Sequence, residues 1–140
     1  MNREKCNCVV LADSHQNVLE RVRGLLETMF EVVVMVADRK SLFQTVDRVK
    51  PDMAIIDLSL KPSDEVDVTR QFKHRYPNVK FIALSTHDDP SVARHAIASG
   101  ASAFVLKRCL STDIFDAIET VAEGRTFVSP QVNVRQDRGA

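Results

Sequence analysis

The chain has 140 residues, with 19 Lys and Arg against 19 Asp and Glu, so its formal net charge is zero. A domain of that length buries roughly two-thirds of its unfolded surface without a disulfide or a metal, and the charge balance leaves no positive field to attract DNA, RNA or acidic lipid to this segment. No apolar run has the length of a signal-peptide core or a membrane span, so a cytoplasmic protein is expected, and Cys6, Cys8 and Cys109 lack CxxC spacing or zinc-like histidine partners, as ordinary reduced thiols do.

Short apolar runs alternate with amphipathic stretches along the chain. Val9-Val10-Leu11 comes first, and Val18, Val22, Leu25, Leu26 and Met29 then recur at helical spacing. Val32 to Val36 is the second run, followed by a helical pattern on Leu42, Phe43, Val46 and Val49 that Pro51 ends. After Met53 to Ile56 the third helical stretch, around Val66 to Tyr76, is less regular, and Pro77 closes it. Phe81 to Leu84 precedes a pattern on Val92, Ala96 and Ile97, with Gly100 placed as a helix C-terminal glycine. Ala103 to Leu106 is the fifth run, Ser111 is the expected N-cap of the next helix, and Ile114, Phe115, Ile118, Val121 and Ala122 carry that helix to Gly124. Runs that are apolar on both faces suit a parallel sheet covered on both sides. The order predicts an α/β domain over 1–125, with right-handed crossovers winding five parallel strands between two helical layers, and a tail or linker start over 126–140.

In such a sheet the ligand site lies beyond the carboxyl ends of the strands. The first strand ends at Asp13, the third at Asp57, the fourth at Ser85 beside Thr86, and the fifth at Lys107. Two carboxylates, a hydroxyl and an ammonium on one edge match phosphoryl transfer: a carboxylate nucleophile, a carboxylate for Mg²⁺, and two groups to hold phosphoryl oxygens. Taken singly, a strand-end Asp is often a helix cap, a Lys a solvated charge and a Ser a turn former. Four glycines, at 24, 100, 124 and 139, provide no glycine-rich turn for a nucleotide pyrophosphate. His15 and His87 lie near the proposed site and read as polar loop residues, with no Ser/His/Asp arrangement around them.

Four segments together resemble the receiver domain of bacterial two-component response regulators: Val9-Val10-Leu11-Ala12-Asp13-Ser14-His15, Pro51 to Leu60 around Asp57, Ala83-Leu84-Ser85-Thr86-His87-Asp88-Asp89, and Gly100 to Lys107. The likeness covers roughly residues 7 to 130, nearly the whole chain. It implies a flavodoxin-like (βα)5 fold with strand order 2-1-3-4-5. It also implies that a sensor histidine kinase phosphorylates Asp57, with Mg²⁺ held by Asp13, Asp57 and the backbone carbonyl of Ser59. Lys107 and Ser85 would contact the phosphoryl group, and Phe104, on its own a core aromatic, would change rotamer as a switch. The fourth helix, fifth strand and fifth helix would carry the output and a homodimer contact. The protein would be a phosphoacceptor with slow self-dephosphorylation, not an enzyme in the usual sense. Ala101 to Lys107 and Glu123 to Pro130 look most like regulators with a LuxR-type DNA-binding output domain, which these 140 residues do not include.

Two positions depart from the family pattern. Ser14 stands where a second acidic residue is usual; it would be a weak, uncharged metal ligand, or else the N-cap of the first helix. Glu65 stands where the family has Gly, and it or Asp64 is a candidate to supply charge to the metal. These departures keep open a receiver-like module that works by phosphorylation-independent protein binding. A hydrolase using Asp57 is a weaker alternative, because Ser59 occupies the position of its general acid.

Overall fold

Alternation within each apolar run decides which side of the sheet each side chain serves. In the computed structural model, which describes residues 6–60 and 67–132, strands β1 (Cys6–Ala12), β2 (Phe30–Val36), β3 (Met53–Asp57), β4 (Lys80–Ser85) and β5 (Ala103–Leu106) form one parallel sheet. Val10, Ala12, Ala54, Ile56, Phe81, Ala83, Phe104 and Leu106 face one core, and the intervening residues Val9, Leu11, Met53, Ile55, Ile82, Leu84, Ala103 and Val105 face the other.

Helices α1 (Gln16–Leu26) and α5 (Leu110–Ala122) cover the second face through Val22, Leu26, Ile114, Ala117, Ile118 and Val121. Helices α2 (Arg39–Val49), α3 (Val68–Arg75) and α4 (Pro90–Ala98) cover the first. There Phe72 is fully buried, with its ring edge-on to Phe81 at 5.1 Å. Removing such a side chain would cost about 3–5 kcal/mol. Among the described residues no helix is long and apolar enough to cross a membrane.

The strand order is 2-1-3-4-5, as the family likeness implies, with a short sixth strand, β6 (Phe127–Val128), beyond β5. Its two residues carry too little periodicity to be read as a strand. Pairing comes from the sheet edge, with Phe127 opposite Ala103 and Val128 opposite Phe104. Within the segment that the sequence suggests as the start of a tail, Phe127 and Val128 therefore join the sheet, a helical turn over 130–132 follows, and Ser129 and Val132 are buried.

Helix starts differ from the expected caps. Asp38, Asp67 and Asp89 cap α2, α3 and α4 by accepting from the backbone N–H of Ser41, Thr69 and Ser91. The third helix thus begins after Asp67, two residues later than the apolar pattern suggests. Ser111 lies inside α5, because a 3-10 turn over Lys107–Cys109 leads straight into that helix and puts Cys109 at its N-cap. Likewise, His15 and not Ser14 occupies the N-cap of α1, and its side chain makes no capping bond. Gly100 and Gly124, at φ 120° and 84°, end α4 and α5 as expected of helix-terminal glycines.

Candidate functional site

Strand order reverses between β1 and β3, the place where an open sheet leaves a crevice at its carboxyl edge. Asp13 follows β1 and Asp57 ends β3, so neighbouring strands bring both carboxylates to that crevice. Ser85 ends β4 and Lys107 follows β5, which adds the hydroxyl and the ammonium from the next two strands. All four are buried, at 0 % exposure for Asp13, 2 % for Asp57, 3 % for Ser85 and 7 % for Lys107.

Lys107 Nζ joins the two acids. It donates to Asp57 Oδ2 at 3.2 Å and stands 2.8 Å from Asp13 Oδ2. The second contact is Coulombic without hydrogen-bond alignment, so the buried Oδ2 of Asp13 accepts no hydrogen bond. Charges are worth far more to one another here than in water, and each buried carboxylate depends on the ammonium for compensation.

Two local turns hold the carboxylates. Ser59 donates to Asp57 from its backbone N–H (3.0 Å to Oδ1) and from its hydroxyl, which lies 3.0 and 3.1 Å from Oδ1 and Oδ2. At Asp13 the corresponding donor is the backbone N–H of His15, 2.8 Å from Oδ1. Both are Asp-x-X turns in which the carboxylate binds the N–H two residues on. His15 also brings its ring over the site, with Nδ1 2.9 Å from Asp13 Oδ1, 2.9 Å from Lys107 Nζ and 3.7 Å from Asp57 Oδ2. In the sequence His15 is a polar loop residue near the site; its place two residues after Asp13, like that of Ser59 after Asp57, is the signal that ties it to the carboxylate.

Ser85 Oγ accepts from the backbone N–H of His87 at 2.9 Å. With Asp57, Leu58, Ser59, Thr86 and His87 it lines a cleft of about 300 Å³, which leaves Asp57 approachable from that side. Phe104 is fully buried within β5. Ser14 is exposed, and Asp64 and Glu65 lie outside the described residues. Among the described residues, Asp13, His15 and Asp57 bring candidate ligand atoms within 4.8 Å of one another. The thiols of Cys8 and Cys109 are elsewhere, and burial pushes both up from the usual thiol range, as suits unreactive reduced cysteines.

The Response regulator receiver domain family matches residues 9–119. The chain belongs to that family. Transcriptional regulatory protein DegU of Brevibacillus brevis is 34% identical to it over 126 residues, which are 89% of this chain and 53% of that protein. Oxygen regulatory protein NreC of Staphylococcus haemolyticus is 32% identical over 124 residues, 86% of this chain and 57% of that protein. The receiver domain thus spans about half the length of the curated relatives it matches. A LuxR-family two-component response regulator from Aurantimonas sp. has a similar structure, with a TM-score of 0.84 at 25% identity, covering 97% of this chain and 99% of that one. The isolated receiver domain of RcsB from Salmonella enterica serovar Typhimurium, in the presence of the phosphomimetic BeF3−, has a TM-score of 0.82 at 25% identity, covering 92% and 96%. The family is therefore that of response regulator receiver domains, with transcription regulators among the relatives and a LuxR-family regulator among the similar structures.

Proposed function

We propose that Asp57 accepts a phosphoryl group from the phosphohistidine of a sensor kinase, and that the modified domain controls an output, transcription in the first instance. The observation that carries this reading is the buried Asp57 carboxylate, held by Ser59 and Lys107 at the end of β3 and open to the Ser85 cleft. An Asp57 oxygen attacks phosphorus, the P–O bond forms as the P–N bond breaks, and the imidazole leaves with the electron pair of the broken bond. Lys107 then has new oxygens to neutralise in place of the carboxylate it holds now, and the Ser85 hydroxyl lies in the same cleft to bond one of them. Ser85 and the buried Phe104 are the elements through which that event would reach α4, β5 and α5, a face proposed also to form a homodimer contact. Nothing in this chemistry turns over a substrate, so the domain acts as a phosphoacceptor with slow self-dephosphorylation.

The residues suit a divalent cation. Asp13 and Asp57 present buried oxygens, Asp13 Oδ2 accepts no hydrogen bond, and the Lys107 ammonium already stands between them as a positive charge. Asp13, Asp57 and the Ser59 carbonyl would hold Mg²⁺, which when bound supplies compensation for the charge of the phosphoryl oxygens. Ser14 is the observation that favours the second reading, a module acting by phosphorylation-independent binding, because an exposed hydroxyl replaces a carboxylate.

Incubation with Mg²⁺ and a small phosphodonor, followed by intact mass, separates the two. One phosphoryl adduct on the wild type and none on Asp57→Ala is the expected result. An unmodified wild type, or an adduct that persists in Asp57→Ala, would overturn the phosphoacceptor reading.

A further inference from the structure

We infer that His15 is a third ligand of the Asp13–Asp57 cation site and tunes it toward a borderline transition-metal dication, of which Zn²⁺ is the probe. The inference rests on the reading of these carboxylates as a cation site and adds a nitrogen donor to it.

The ring geometry carries the argument. Nδ1 of His15 has Lys107 Nζ at 2.9 Å and Asp13 Oδ1 at 2.9 Å. An Nδ1 that bears hydrogen satisfies the carboxylate and opposes the ammonium, which has only donors to offer. A bare Nδ1 accepts from the ammonium and turns its lone pair toward a carboxylate oxygen. Either tautomer leaves one of the two contacts unfavourable. A dication among the three side chains satisfies every lone pair at once, and Lys107 then yields its place.

Spacing and burial agree with this. Ligand atoms about 2.0–2.2 Å from one metal lie roughly 3–3.5 Å apart, and here Nδ1 is 2.9 Å from Asp13 Oδ1 and 3.7 Å from Asp57 Oδ2. An independent sign is Asp13 itself, at 0 % exposure with an oxygen that accepts no hydrogen bond. The N–H of His15 is fixed to Asp13 Oδ1, so the backbone holds the ring at the mouth of the site. Chemistry then sets the preference. Mg²⁺ binds oxygen in near-octahedral geometry and keeps its waters, whereas imidazole suits zinc and its neighbours. Ser14 in place of an acid removes an oxygen donor of the kind Mg²⁺ favours, and His15 contributes a nitrogen beside it.

The test uses the whole chain labelled uniformly with ¹⁵N, so that histidine-ring and backbone signals are both read, titrated in parallel with Zn²⁺ and Mg²⁺, together with His15→Gln and Asp13→Asn. The His15 Nδ1 resonance should shift in proportion to Zn²⁺ bound, and that shift should vanish in Asp13→Asn. His15→Gln should weaken Zn²⁺ binding at least about tenfold, and weaken Mg²⁺ binding several-fold less. Zn²⁺ binding that leaves the His15 ring signal in place, or equal losses for the two cations, would overturn the ligand role while leaving the carboxylate site intact. If neither cation moves the backbone signals of Asp57 and Ser59, the cation-site reading fails and this inference fails with it.

Discussion

Lys107 Nζ stands 3.2 Å from Asp57 Oδ2 across 50 residues of sequence, and the same ammonium reaches Asp13 Oδ2 at 2.8 Å. One cation thus compensates two buried anions. Lys107→Met should leave the carboxylates facing each other and lower stability by about 3 kcal/mol or more, read as a drop in the urea midpoint. Asp13→Asn in that background should recover part of the loss. Mg²⁺ should stabilise Lys107→Met more than the wild type, because a bound cation takes over the missing charge. A Lys107→Met midpoint equal to that of the wild type would show that the ammonium compensates neither acid.

Ser129 fastens the last described segment to the strand that ends at the site. Its hydroxyl accepts from the Leu106 N–H at 3.0 Å and donates to Asp113 Oδ2 at 2.8 Å, while its own N–H donates to the Phe104 carbonyl at 2.9 Å. Leu106 directly precedes Lys107. Ser129→Ala strands a buried N–H and should cost about 1–3 kcal/mol. Hydrogen exchange at the Leu106 amide should quicken along with the stability loss. Unchanged exchange there would mean that the Ser129 hydroxyl does not secure β5.

How much of this the sequence disclosed follows from the length scale of each signal. Asp13, Asp57, Ser85 and Lys107 were legible because each sits at the end of an apolar run, and parallel strands put such ends on one edge. His15 was less so: its exposure resembles that of any loop histidine, and only its ring position reveals the contact with Lys107. Phe127 and Val128 are too short a pair to show a period, so β6 is visible only once the β5 edge exists to pair with it. Ser111 looks like a cap in isolation, yet the 3-10 turn at Lys107–Cys109 starts α5 one residue before it. Local cap preference yields there to the geometry that leads out of β5.

Gly100 gives a test of the turn that ends α4. Its φ is 120°, and a Cβ on it would come 2.6 Å from Lys73 Cγ. Gly100→Ala therefore meets both a backbone penalty and a clash, and should cost about 1–3 kcal/mol in thermal or urea unfolding. Combining it with Lys73→Ala should relieve the clash and leave the backbone penalty. Full recovery in the double variant would assign the whole cost to Lys73, and no cost in Gly100→Ala would refute both terms.

Tyr76 offers a pH-dependent measurement free of overlap, since the chain has one Tyr and no Trp. Its phenol is half-buried, with the hydroxyl 2.7 Å from Asp47 Oδ1 and 3.1 Å from the Phe43 carbonyl. Burial and the hydrogen bond to Asp47 push its pKa up to about 12, against the nearby charge of Arg75. The folded state thus favours the neutral phenol. Its contribution to stability is complete below the unfolded value of about 10 and is lost as pH rises through about 12. Phenolate absorbance should accordingly titrate near pH 12 in the folded protein and near 10 in denaturant, with unfolding favoured progressively between the two. Asp47→Asn should bring the folded midpoint down without restoring the denatured value, because burial remains. Equal midpoints in folded and denatured protein would refute this account of the Tyr76 environment.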